Sequence, residues 1–138
     1  MGLYLVIFDE FDEEVEGVEV GRYKDFSIFS EHIELVYGRA KAESEFPSIF
    51  LHSVSDGEWT SIESKKLLIE LNIIKNDFKK KPPITFNNGW QDDLRINYGL
   101  PNNNLYESFI DIDGELLIDR LIELAEISIK VNSPILFQ

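Results

Sequence analysis

The sequence predicts an α+β fold, a single two-layer domain in which about three main helices pack on one mainly antiparallel or mixed sheet. Short β-rich apolar runs open the chain at residues 2–9 and close it at residues 135–138. Between them, three longer segments carry apolar residues at helical spacing. The chain of 138 residues is long enough for one sizeable core, and it contains no internal repeat, linker or nucleotide-binding signature.

Strands are predicted where β-branched and aromatic residues cluster between turn-forming residues. The predicted strands cover residues 2–9, 18–23, 46–54, 105–113 and 135–138. The second is short, and Gly17 and Gly21 interrupt the segment in which it lies. The first two strands are therefore expected to form a hairpin.

Helices are predicted from apolar spacing and from residues typical of helix ends. The predicted helices cover residues 25–37, 60–78, about 90–98 and 115–131. Asp25 is the expected N-cap of the first helix, and Gly38 is its expected stop. Thr60 and Glu63 have the spacing of a capping box, which marks the start of the second helix. The last helix has the broadest apolar face.

The excess of acidic residues is the strongest signal in the composition. Twenty-six acidic residues face thirteen basic ones, which gives a formal net charge of −13. Such a field repels nucleic acid and anionic membranes, so neither is an expected partner, and it attracts cationic partners. An acidic surface also keeps a protein soluble, so charge alone leaves binding and solubility as open explanations.

The carboxylates are concentrated between Asp9 and Glu19, and no basic residue occurs in this segment before Arg22. Because the segment follows the first predicted strand, the carboxylates are expected on the hairpin connection and its exposed flank.

Localisation is expected to be cytoplasmic. No apolar run approaches the roughly 20 residues needed to cross a bilayer, and the first nine residues lack the basic leader of a signal peptide.

The segment FIDIDGEL at residues 109–116 shares letters with two known sites and fits neither. As a magnesium-dependent phosphotransferase loop, it would use Asp111 as nucleophile and Asp113 as acid/base, but only 25 residues follow Asp113. As a calcium loop, it would place Phe109 and Arg120 at ligand positions. The expectation is a glycine turn with Asp113 capping the following helix. A small metal-dependent hydrolase using Asp111 and Asp113 remains an alternative.

No cofactor, metal site or catalytic activity is predicted. The absence of cysteine removes thiolate nucleophiles and thiolate metal ligands. His32 and His52 lie in different predicted elements without a third ligand, and the chain has no nucleophile elbow or phosphate-binding loop. Trp59 and Trp90 each stand beside acidic residues, either as core residues or as anchors of a protein interface.

Four sequence blocks together resemble a family of bacterial immunity proteins, immunity protein family seventy. The blocks are GLYLVIFD at residues 2–9, HS and DGEW within residues 52–59, LYESFIDIDGE at residues 105–115 and PILFQ at residues 134–138. They lie in the expected order and extend over nearly the whole chain. The resemblance implies one immunity-protein-like domain covering residues 1–138.

The resemblance further implies a cytoplasmic inhibitor that binds and neutralises a cognate toxin domain of a polymorphic toxin system. Many such toxins are nucleases, whose active faces are basic because they hold phosphates. Clustered carboxylates would steer the inhibitor onto such a face. The expected toxin contacts are Asp9, Glu10, Asp12, Glu13, Glu14, Glu16, Asp56, Glu58 and Trp59. An acidic adaptor for an unrelated basic partner is the other alternative.

Overall fold

One four-stranded antiparallel sheet organises the protein. The computed structural model describes residues 2–53 and 57–138. The strands are β1 (Gly2–Phe8), β2 (Glu14–Arg22), β3 (Glu58–Trp59) and β4 (Ile135–Phe137). Their order across the sheet is β2-β1-β4-β3, so the last strand of the chain lies between the first and the third.

Three long helices and several short helical segments accompany this sheet. The helical segments of the described residues are α1 (Tyr23–Tyr37), α2 (Arg39–Glu45), α3 (Pro47–Phe50), α4 (Ser61–Phe78), α5 (Trp90–Tyr98), α6 (Leu105–Ser108) and α7 (Leu117–Val131). The longest are α1, α4 and α7, so the predicted α+β class is confirmed. None of the helices in residues 2–53 and 57–138 has the length and hydropathy needed to cross a membrane.

The two faces of the sheet carry different side chains, because successive residues of a strand point to opposite sides. The inner face contributes buried apolar residues to the main core: Leu3, Leu5, Ile7, Val18, Val20 and Ile135. The opposite side, which we call the outer face, carries Tyr4, Val6, Phe8, Glu14, Glu19, Glu58 and Leu136. The core therefore lies between the inner face and the helices.

The predicted apolar face of α4 is confirmed. Leu67, Leu71, Ile74 and Phe78 are fully buried on the side of α4 that packs on α7 and the rest of the core. The start of α4 also has the predicted capping box. Glu63 N–H donates to Thr60 Oγ1 at 3.1 Å, and Thr60 N–H donates to Glu63 Oε1 at 3.1 Å.

The start of α1 differs from the prediction. The helix begins at Tyr23, which was expected in the second strand, and Asp25 lies three residues inside the cap position rather than at it. The Asp25 carboxylate instead accepts the Arg22 N–H at 2.7 Å. A carboxylate in the first turn satisfies an unpaired N–H and complements the helix dipole, which explains the earlier start.

The predicted strand over residues 46–54 is wrong where the structure describes it, because four of its residues form α3. A proline at the first helical position favours this turn. The buried carboxylate of Glu70 in α4 accepts N–H bonds from Ser48 at 3.2 Å and from Ile49 at 3.0 Å. This capping comes from a distant residue. Val54 lies outside the described residues.

The predicted strand over residues 105–113 is also wrong. Its first four residues form α6, whose N-cap Asn104 accepts the Glu107 N–H at 2.9 Å. Only Ile110 makes a β-type contact, a single antiparallel bridge to Leu116. The local cap therefore outweighs the β-propensity of this segment.

Replacing a buried isoleucine of α4 should destabilise the protein far more than replacing an exposed one. Ile74 is fully buried, whereas Ile69 on the same helix is 64% exposed. We expect Ile74→Ala to lower the free energy of unfolding by about 2–5 kcal/mol through lost burial and cavity formation. Ile69→Ala is the matched control and should change it by less than about 0.5 kcal/mol in urea titrations. Equal effects of both variants would contradict this packing.

Candidate protein-binding surface

The β1–β2 hairpin holds six of the nine predicted contact residues. Asp9, Glu10, Asp12 and Glu13 form the connection, whereas Glu14 and Glu16 belong to β2. This placement on the hairpin connection and its flank agrees with the sequence prediction. We call residues 9–13 the acidic loop.

Hydrogen bonds within the acidic loop fix its conformation. Asp9 Oδ1 accepts the N–H groups of Phe11 at 2.8 Å and Glu13 at 3.0 Å, and Asp9 N–H donates to the Glu13 carbonyl at 2.9 Å. Asp12 has a φ of 60°, in the left-handed region that aspartate tolerates better than most residues. The Asp9 carboxylate therefore orders the loop rather than standing free.

An exposed aromatic side chain lies within the acidic loop. Phe11 is 76% exposed and is flanked in sequence by Glu10 and Asp12. The carboxylates of Glu10, Asp12 and Glu13 are exposed, and none bonds to another described residue. The contact residues predicted from the sequence did not include Phe11. A lone phenylalanine inside a run of acids was the available signal.

Glu14 and Glu16 have partners within the protein. Glu14 Oε2 accepts the Tyr4 hydroxyl at 2.9 Å on the outer face. Glu16 is half-buried, and its Oε1 lies 3.4 Å from Nη2 of Arg120 in α7. Burial, the hydrogen bond to Glu14 and the charges of Glu14, Glu19 and Glu16 raise the pKa of Tyr4. Glu14 and Glu16 therefore add to the negative potential and also make side-chain contacts within the fold.

Glu58 and Trp59 form β3, where they point to opposite faces of the sheet. Trp59 is fully buried, and its Nε1–H donates to the Ser48 carbonyl at 2.9 Å. Its ring packs near Phe137. Because Trp59 presents no surface to a partner, we leave it out of the contact surface. Asp56 lies outside the described residues.

The sheet brings Glu58 onto the same face as carboxylates of β2. Phe8 is paired with Glu14 in β2, and Leu136 of β4 is paired with Val6 on one side and with Glu58 on the other. Paired residues of antiparallel strands point to the same face. The outer face is therefore an apolar strip with carboxylates along both edges.

A cavity of about 500 Å3 lies where the outer face meets α5. We call it the Trp90 cavity. Its lining includes Tyr4, Glu19, Gly21, Arg22, Trp90 and Ile112. These residues come from β1, β2, α5 and the turn before α7, so no single segment of the sequence indicates the cavity.

Asp25 holds the walls of the Trp90 cavity in place. Its carboxylate accepts Trp90 Nε1–H at 3.1 Å, Gln91 Nε2–H at 3.1 Å and Arg22 Nη2–H at 3.2 Å. Burial by itself raises the pKa of Asp25, but the hydrogen bonds from Arg22, Trp90 and Gln91 outweigh it, and the pKa falls below its usual range. Gly21 has a φ of 124°, and a Cβ there would lie 2.9 Å from Trp90 Cζ2.

The Asp111 carboxylate is part of a turn. Asp111 has no exposed surface, and its Oδ1 accepts N–H bonds from Asp113 at 2.9 Å and Glu115 at 3.0 Å. Arg120 Nε lies 3.6 Å from the other carboxylate oxygen. The predicted capping of α7 by Asp113 is wrong, because the N-cap is Leu116 and it makes no side-chain cap bond.

This geometry does not favour the hydrolase alternative. A general acid/base or nucleophile must reach its substrate, and the Asp111 side chain is enclosed by its own turn. Within residues 2–53 and 57–138, no group of three histidine or carboxylate side chains is arranged to hold a metal ion. Asp111 therefore has the local structural role of ordering the turn before α7.

Comparison with known proteins identifies one family. A model of the family described as Immunity protein 70 matches residues 3–137, which is nearly the whole chain. The match includes the acidic loop, almost all of the outer face and the segments that line the Trp90 cavity. No curated protein and no solved structure matches the chain.

Removing the Asp25 charge should destabilise the protein in a pH-dependent way. Because the folded-state pKa of Asp25 is lowered, its carboxylate stabilises the fold above the usual Asp pKa of about 3.9, and the stabilisation is lost as pH falls through the folded value. We expect Asp25→Asn to cost about 2–3 kcal/mol of unfolding free energy at neutral pH. The cost should shrink below about pH 4.

Urea titrations from neutral to acidic pH measure this difference. Glu126→Gln is the control, because Glu126 is exposed on α7 and its carboxylate makes no hydrogen bond or ion pair to another described residue. We expect that variant to change the free energy of unfolding by less than about 0.5 kcal/mol. If the cost of Asp25→Asn stays constant as the pH falls, the negative charge of Asp25 does not stabilise the fold, and this prediction is wrong.

Proposed function

The chain belongs to the Immunity protein 70 family and is an immunity protein, and we propose that it neutralises a basic, nuclease-type toxin by covering its active face. The proposed contact surface is the acidic loop together with the outer face. We further propose that it acts in the cytoplasm, without catalysis, as part of a polymorphic toxin system. The observation that carries the proposal is the cluster of unpaired, exposed carboxylates around an exposed phenylalanine.

The unpaired carboxylates of Glu10, Asp12 and Glu13 suit a basic partner. Each is exposed, and none is neutralised by a cation among the described residues. A nuclease must hold phosphates, so the face that carries its active site is positively charged. Complementary potentials accelerate association and disfavour partners with the same sign of charge. The acidic loop is therefore suited to approach the basic, phosphate-binding face of a nuclease.

Phe11 supplies what charge alone lacks, a contact that slows dissociation. Interfaces derive most of their binding energy from a few large side chains that become fully desolvated. The Asp9 hydrogen bonds hold the Phe11 backbone before binding, which reduces the conformational entropy that binding would otherwise cost. We propose that Phe11 enters an apolar depression on the toxin, surrounded by basic side chains.

An acidic adaptor for an unrelated basic partner would bind through the same acidic surface and the same charge complementarity. Family membership favours the toxin, and rescue from toxicity separates the two functions. The experiment is co-expression with the toxin domain encoded beside this gene. Growth should be restored and the two proteins should copurify. If no neighbouring toxin binds this protein or loses toxicity in its presence, the proposed function fails.

Neutralising the acidic loop should slow association with the toxin. We expect Glu10→Gln, Asp12→Asn and Glu13→Gln together to lower the association rate constant by roughly 3- to 10-fold at low salt and to flatten its salt dependence. These positions isolate steering better than Glu14 or Glu16, whose carboxylates have structural partners. Stopped-flow binding at several salt concentrations measures the effect.

A matched variant controls for net charge. Glu31→Gln, Glu45→Gln and Glu126→Gln remove the same number of charges from exposed positions on α1, α2 and α7, outside the acidic loop. We expect less than about a twofold change in the association rate constant, since steering depends on where the charges lie. Equal slowing by both triple variants would place the interface elsewhere.

Truncating Phe11 should accelerate dissociation and leave the fold intact. We expect Phe11→Ala to raise the dissociation rate constant about 10- to 30-fold with little change in association. Its free energy of unfolding should change by less than about 0.5 kcal/mol, because the side chain is exposed. Ile96→Ala is the control, since Ile96 is 80% exposed on α5. A Phe11→Ala complex with unchanged dissociation would remove Phe11 from the interface.

A further inference from the structure

We propose that the Trp90 cavity receives an arginine side chain of the toxin. This inference rests on the proposed function and adds the chemistry of one contact that it does not specify. The cavity shares Tyr4 and Glu19 with the outer face, so a protein that covers the outer face also reaches the cavity. Three properties of the cavity select a guanidinium group.

The charge of the cavity is the first property. Glu19 lines it, is exposed, and its carboxylate bonds to no other described residue. Arg22 also lines the cavity, but its guanidinium is paired with the Asp25 carboxylate at 3.2 Å. With that charge offset, the remaining local charge is negative, and Glu14 on the same face adds to it. A cationic side chain is therefore favoured over a carboxylate.

Aromatic and apolar walls are the second property. The half-buried rings of Tyr4 and Trp90 line the cavity, and Ile112 adds apolar surface that is 40% exposed. A guanidinium is planar and weakly hydrated, so it stacks on aromatic faces more readily than an ammonium does. The methylene stem of an arginine can lie along apolar surface while its head group meets a carboxylate. This combination favours arginine over lysine.

Rigidity is the third property. The Trp90 indole is held by Asp25, and the Ile112 N–H donates to the Glu19 carbonyl at 3.0 Å, which fastens the turn before α7 to β2. Gly21 leaves the room that the Trp90 ring occupies. The walls are thus formed before binding, and little affinity is lost to ordering them.

Nuclear magnetic resonance of the two tryptophan indole N–H groups tests the inference on the isolated protein. The probe is N-acetyl-arginine amide, and the citrulline analogue is the neutral probe of matched shape. We expect a saturable shift of the Trp90 indole signal with a dissociation constant in the millimolar range and about tenfold weaker binding of the citrulline probe. Trp59, which is fully buried, serves as the internal reference.

Variants test whether Glu19 contributes to binding of the arginine probe. We expect Glu19→Gln to weaken binding of the arginine probe about tenfold. Glu10→Gln, a change at another exposed position, in the acidic loop, should leave it unchanged. Equal binding of both probes, equal effects of both variants, stronger binding of a phenylalanine amide or no saturable shift of Trp90 would each overturn the inference.

The toxin itself separates this inference from the proposed function. With the neighbouring toxin domain, Glu19→Gln should weaken the complex about tenfold while the unchanged protein still rescues growth. Wild-type affinity of Glu19→Gln would overturn the arginine contact and leave the proposed function standing. Failure of the unchanged protein to bind or neutralise the toxin would overturn the proposed function instead, and the probe titration would still decide the chemistry of the cavity.

Discussion

The insertion of β4 between β1 and β3 is the constraint on which the rest of the structure depends. Backbone bonds in both directions join Tyr4 and Gln138, at 2.9 and 2.8 Å, and thereby fasten the end of the chain to its beginning. The same pairing places the Phe137 ring against Trp59 in the core. It also aligns Glu58 with the outer face of β1 and β2. Without β4, β3 would have no place in the sheet, and the carboxylates would not share one surface.

Two groups of carboxylates in this acidic protein have different physical roles. Asp9, Asp25, Glu70 and Asp111 accept backbone N–H bonds and determine local conformation. Those of Glu10, Asp12 and Glu13 are exposed and bond to no other described residue. Concentrated like charges repel one another and tend to destabilise a compact state. The free group therefore has no evident role in holding the fold, which supports a role in recognition.

The proposed interface separates the rate of encounter from the lifetime of the complex. Exposed charges act over distances up to about 10 Å at moderate salt, so the acidic loop influences approach. Phe11 and the Trp90 cavity act only in contact, so they influence dissociation. Both contact features are ordered by the hydrogen bonds of an aspartate, which is Asp9 in the loop and Asp25 at the cavity. The acidic loop and the Trp90 cavity are thus both ordered before binding by hydrogen bonds to a carboxylate.

The sequence by itself determined the elements whose signals lie within a few neighbouring residues: β1 and β4 by composition, the Thr60 and Glu63 cap, the apolar faces of α4 and α7, and the acidic hairpin. Tertiary structure decided the rest. Residues 47–50 form a helix because Glu70 accepts the N–H groups of Ser48 and Ile49, which lie 22 and 21 residues before it. Trp59 is buried because β4 places Phe137 beside it. The cavity exists because the β1–β2 hairpin, α5 and the turn before α7 meet there. Local hydrogen bonds and periodicity are encoded in short stretches, whereas burial and cavities depend on which distant segments pack together.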